Sequence, residues 1–98
     1  MRLFVSEYVC GGAWNDGPLD NSLADEGRSM LLAACADFSR IPNVQVVTTW
    51  DSRLGPFPLS AVEAVRTDPS RELQEFDRLI GECDAAFVIA PEFDQILT

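Results

Sequence analysis

The sequence contains no histidine and no lysine; all seven of its basic residues are arginine. A Ser–His or Cys–His nucleophile pair therefore cannot be built from this chain. The lysine that a phosphate-cradling P-loop needs is missing as well. Cysteine is scarce: Cys10, Cys35 and Cys83 are an odd number, and their spacing does not fit a metal site. No apolar run approaches the ~18 residues of a membrane-spanning helix. There are no repeats, linkers or low-complexity segments. Strand-like residues begin at position 2, which leaves no room for a signal peptide, so a cytoplasmic location is expected. Positive charge is also in deficit. The net charge of −9 is spread along the chain and disfavours both nucleic acid and anionic membrane surfaces as partners.

What is present fits one small globular domain. The 98 residues are 47% hydrophobic, enough for a real but modest core. A first strand is expected over about Arg2 to Val9. A long loop follows from Cys10 to Asn21, rich in turn formers such as Gly11, Gly12, Asn15, Asp16, Gly17 and Pro18. Loops of that length inside compact domains are often functional. A helix is expected from Ser22, with Ser22 and Asp25 as a capping box. Leu23, Met30, Leu31, Ala34, Cys35 and Phe38 recur at helical spacing as its apolar face. Gly27, inside that helix, suggests close backbone packing.

A second strand is expected over Val44 to Thr49, and a short third one over Ala61 to Val65, whose alanines also fit a helical turn. Asp68 should cap a second helix with Pro69 at its first position. Leu73, Phe76, Leu79, Ile80 and Cys83 should form its buried face. The last strand, Ala85 to Ala90, is continuously apolar, as a strand covered on both faces of a parallel sheet would be. Phe93, Ile96 and Leu97 look like the start of a third helix. Cys35 and Cys83 fall on apolar faces and read as core residues, and Cys10 as an ordinary reduced thiol.

The order β-α-β-β-α-β predicts an α/β fold, with a parallel or mostly parallel sheet of about four strands in a small three-layer Rossmann-like arrangement. Ligands of such sheets sit beyond the carboxyl ends of the strands. Glu7 to Gly12, Trp50 to Arg53 and Pro91 to Asp94 should therefore border one crevice. The candidate substrate-binding residues are Glu7, Gly11, Gly12, Asp51, Arg53, Glu92 and Asp94. Their carboxylates suit an amine or a hydroxylated ligand, and a single arginine suits phosphates poorly. No residue is assigned a catalytic or metal-binding role. The glycine spacing after strand 1 does not fit a dinucleotide fingerprint, and a phosphoacceptor receiver would want a lysine.

Several segments, in order, resemble a group of ATP-grasp proteins. Glu7-Tyr8-Val9-Cys10-Gly11-Gly12 is similar to their E-Y-x-x-G-G-G start. Leu23 to Leu31 resembles an L-x-x-E-G-x-x-M-L helix. Asp37-Phe38, Asp51-Ser52-Arg53-Leu54 and Val88 to Asp94 resemble D-F, D-x-R-L and I-A-P-E-x-D segments. Ala13 and Gln95 depart from the pattern, where glycines are usual. The resemblance implies an N-terminal pre-ATP-grasp domain on the acceptor side of a carboxylate–amine ligase, similar to tyramine–glutamate ligases of methanofuran-type cofactor synthesis. It implies that ATP and Mg²⁺ belong to later domains of a longer parent, by about another 200 residues on the usual domain size, and that this chain alone neither holds a cofactor nor catalyses. The partner implied is a small-molecule acceptor. A competing expectation is a stand-alone binding or oligomerisation module, with self-association of the isolated chain through uncovered apolar surface. A small independent hydrolase is a third, without an evident nucleophile–base pair to support it.

Overall fold

The computed structural model describes residues 1–13 and 21–89. Four strands, β1 (Arg2–Glu7), β2 (Gln45–Asp51), β3 (Glu63–Thr67) and β4 (Ala85–Ile89), form one sheet in the order β3-β2-β1-β4. Every neighbouring pair is parallel. Helix α1 (Asn21–Ser39) joins β1 to β2, and helix α2 (Glu72–Glu82) joins β3 to β4.

The period-2 alternation of the strands decides which helix each residue meets. Leu3 and Val5 of β1 pack with Val46 and Trp50 of β2 against Leu31 and Cys35 of α1. Phe4 and Val47, one residue out of phase, pack against Leu79 and Phe76 of α2. The Phe4 and Phe76 rings meet edge to face at 5.4 Å between centroids. The helices thus cover opposite faces, and the domain is a three-layer α/β unit as the sequence implies. The topology supplies the reason. The chain builds outward from β1 to β2 and β3, then returns across β1 to lay down β4. With crossovers of one hand, a reversal of direction moves the helix to the other face.

Several element expectations are corrected. β1 ends at Glu7, two residues early, because the chain bends at Tyr8 into a compact turn. β3 lies two residues later than expected, in register with Val47–Asp51 of β2. The apolar Ala61–Val62 pair that suggested its start belongs to the preceding connection, where Val62 is buried with Phe57 and Leu59 beside it in the α1-side core. Asp68 caps a turn ahead of α2: its Oδ1 accepts from the backbone of Ser70 at 2.9 Å and of Arg71 at 3.2 Å. The helix itself starts at Glu72. Met30, Leu73 and Ile80, expected on buried faces, are exposed.

β4 was expected to be covered on both faces. Ala85 to Val88 are exposed instead, Val88 by 57%. β4 is the margin of the sheet beside β1, and the helix cores centre on β1 and β2. The capping box at Ser22 and the third helix lie outside the described residues or side chains.

Candidate functional site at the carboxyl edge

Beyond Glu7 the chain forms a compact turn over Val9–Ala13, kinked at Gly12, whose backbone is not helical. Glu7 follows Leu3 and Val5 on the α1 face of β1, so a carboxylate occupies a position where the pattern is otherwise apolar. Its side chain is fully buried. The carboxylate turns back on its own chain: Oε2 accepts from the Val9 N–H at 3.2 Å and Oε1 from the Cys10 N–H at 2.9 Å. α1 passes so close that a Cβ placed on Gly27 would lie 2.5 Å from Glu7 Cδ and 2.9 Å from Oε2.

The two glycines of the turn lie against the strand ends. A Cβ on Gly11 would meet Thr49 Oγ1 at 2.8 Å and Ser6 Oγ at 3.3 Å, and one on Gly12 would meet Thr67 Oγ1 at 2.6 Å. Gly12 also has a φ of 101°, in the region where side chains are strained. Thr67 Oγ1 donates to the Gly11 carbonyl at 2.7 Å. The glycine pair is thereby pressed onto the carboxyl ends of β1, β2 and β3.

Asp51, at the end of β2, is likewise fully buried. It accepts the Arg53 N–H at 2.8 Å and pairs with the guanidinium, Nη2 to Oδ2 at 2.6 Å and Nε to Oδ1 at 3.0 Å. Asp51 thus caps the short 3₁₀ turn Ser52–Leu54 and fixes the arginine above it. The neighbouring Trp50 donates its indole N–H to the Gly55 carbonyl at 2.9 Å.

The direction of sheet growth reverses between β1 and β4, and open α/β sheets bind ligands at such a point. A groove of about 280 Å³ lies there. Ser6 of β1 and Tyr8 just beyond its end line it, with Val88 and Ile89 from β4, and Glu72, Leu73 and Phe76 from the start of α2. Partial burial, with a contribution from Asp77, raises the pKa of the Glu72 carboxyl above its ordinary value. A smaller hollow of about 160 Å³, lined by Arg2, Gln45 and Glu63 among others, lies at the opposite end of the strands.

The model of the pre ATP-grasp 3 domain matches residues 44–98. The chain belongs to that family. No curated protein and no solved structure matches it.

In this pre-ATP-grasp domain, Glu7, Gly11 and Gly12 come together in one turn, and Asp51 and Arg53 pair with each other at the next strand end. Glu92 and Asp94 lie outside the described residues. Both buried carboxylates face protein donors, Glu7 two backbone amides and Asp51 an amide and a guanidinium. That donor set does not fit Mg²⁺, which needs carboxylate oxygens open to the metal. Among the described residues no cluster of three potential ligands could hold a metal ion. The sequence has no lysine to make the phosphate contact of a P-loop.

Cys10 is buried, and its pKa is driven far upward by desolvation and by Glu7. Burial pushes Cys35 up to about 11. Both thiols stay protonated at neutral pH, in keeping with an inert structural role.

Sequence reasoning missed Ser6, Thr49, Thr67 and Glu72. Thr67 was hidden by the early placement of β3. With β3 ending two residues later, the motif of a hydroxyl residue at a strand's carboxyl end would have pointed to it. Glu72 carries no signal of its own in the sequence, and only the position of β4 shows that it borders a groove.

Proposed function

We propose that the domain forms the acceptor-substrate wall of an ATP-dependent carboxylate–amine ligase of the ATP-grasp type. The observation that carries this reading is the family match over residues 44–98. The glycine turn and the groove beside it supply the geometry. ATP and Mg²⁺ would be bound by other parts of a longer parent, where the carboxylate is converted to an acyl phosphate. The amine then attacks the acyl carbon, phosphate leaves, and the nitrogen loses a proton.

In this reading the chain's own residues bind and orient the acceptor. The groove walls Leu73, Phe76 and Val88 take an apolar body, and the Glu72 carboxylate faces its polar end. Gly11 and Gly12 let the turn seat closely on the strand ends that border the acceptor site, Asp51 and Arg53 hold the β2 end rigid, and Glu92 and Asp94 remain further candidates for ligand contact. The chain alone is inactive. The finer assignment is glutamate joined to an aromatic amine such as tyramine, in methanofuran-type cofactor synthesis in the cytoplasm. The test is release of ADP by the full-length parent when offered glutamate, tyramine, or both. Turnover dependent on both supports the assignment. Turnover with other acids or amines keeps the ligase and removes the pathway, and a parent reading frame that ends at Thr98 removes the ligase.

A second reading is a binding or oligomerisation module. Exposed Leu73, Ile80, Phe87 and Val88 favour it, because uncovered apolar surface promotes association. Sedimentation of the isolated chain tests it, and a monomer at high concentration would count against it.

A further inference from the structure

Glu7 is the one charged residue among the α1-facing positions of β1, and among the described residues no cation is hydrogen-bonded to its buried side chain. A buried carboxylate usually needs a charge partner or several strong donors. Here two N–H groups of the following turn serve that purpose. On the other side of the same carboxylate, α1 carries Gly27, where a side chain would overlap the carboxyl group. Glycine inside a helix is unfavourable relative to alanine, so its position against Glu7 has a physical cause. The glycine in α2, Gly81, has open space where a Cβ would point.

We propose that Glu7 and Gly27 are a positioning pair that ties the Gly11–Gly12 turn to helix α1. The carboxylate fixes the first two amides of the turn, and the missing Cβ lets the helix hold the carboxylate in place. Thr67 fixes the far side of the turn through the Gly11 carbonyl. The wall of the crevice is therefore set by the seating of α1, and a change at Gly27 moves glycines that it does not touch. This inference is independent of the ligase reading, since it concerns the path of the backbone.

The cysteines report on it. Cys10 is part of the turn, and its Sγ lies 3.6 Å from the Ala24 carbonyl of α1. Cys35 is buried in the same core but away from the turn. The 98-residue chain is alkylated with iodoacetamide under native conditions, and each cysteine is followed by mass spectrometry. Gly27→Ala should speed labelling of Cys10 at least about tenfold, because the amide–carboxylate bonds are lost. Cys35 should stay within about twofold, as opening is local. Adding Glu7→Asp to Gly27→Ala shortens the carboxylate, makes room for the new methyl, and should slow Cys10 again. Gly81→Ala should change neither. If Gly27→Ala does not fold, Glu7→Gln supplies the test: it keeps the size, removes one acceptor oxygen, and should speed Cys10 alone. Equal acceleration of Cys10 and Cys35, unchanged Cys10 labelling, or no recovery in the double variant would overturn the pairing.

Discussion

The carboxyl end of β1 and the β4 margin break the simple rule of burial in opposite directions. At the first, Glu7 is fully buried, as is Asp51 at the adjoining end of β2. At the second, Ala85 to Val88, apolar throughout, are exposed. The first region obeys local chemistry. A strand that stops must satisfy the amides of the turn that follows, and a carboxylate two or three residues back can do so. The second obeys topology. Residues fit to be buried remain uncovered among the described residues because β4 lies at the margin of the sheet. Burial at a strand end is thus decided by the next few residues, and burial at a sheet margin by whatever packs beside it.

The sharpest way to break the contrast is to remove the carboxylate. Glu7→Ala strands two buried N–H groups and opens a void against Gly27. Each unsatisfied buried group costs about 1–3 kcal/mol, so a loss of about 3 kcal/mol is expected in urea unfolding. A loss under about 1 kcal/mol would show that water replaces the carboxylate and that the turn does not depend on it.

Much of this contrast could not be seen in the chain's text. The β-branched run of β2 and the helical spacing of Leu31 and Cys35 were enough to fix the parallel sheet and the α1 layer. Gly27 signalled close packing, but its partner, Glu7, is 20 positions away and emerged only when α1 lay across the strand end. Glu7 and Asp51 looked like crevice carboxylates because residue type does not say which way an oxygen points. β4 looked central because an apolar strand has the same pattern whether or not a neighbour covers it. The β3 slip had another cause: an apolar pair serving the connection mimicked a strand start.

The thiols sharpen the comparison at an intermediate scale. Cys10 and Cys35 are buried on the α1 side, whereas Cys83 is half-buried at the end of α2. For Cys35 the folded-state pKa is raised from 9.0 to about 11. The unfolded chain therefore ionises first as pH rises, and this contribution is complete below about pH 9 and lost as pH climbs through about 11. Cys10 shifts in the same direction. Stability should fall by about 2 kcal/mol between about pH 8 and pH 10, since each thiol loses about 1. Urea midpoints at the two pH values measure the loss, and Cys35→Ala should remove about half of it. A midpoint independent of pH would mean that these thiols are already open to solvent.

The smallest effect on stability is expected at the β4 margin. Val88 is 57% exposed, so Val88→Lys replaces a side chain that contributes little to the fold. Surface substitutions of this kind change stability by no more than about 0.5 kcal/mol. Lysine on a margin strand also opposes edge-to-edge pairing. The variant should therefore unfold at nearly the wild-type urea concentration while sedimenting as a smaller species wherever the wild-type chain self-associates. The two measurements separate the possible roles of the margin. A large loss of stability would place Val88 in a covered core, in conflict with its exposure. Unchanged stability with unchanged association would remove Val88 as a contact and leave Leu73 and Ile80 on α2, with Met30 and Ile41 elsewhere, among the exposed apolar candidates.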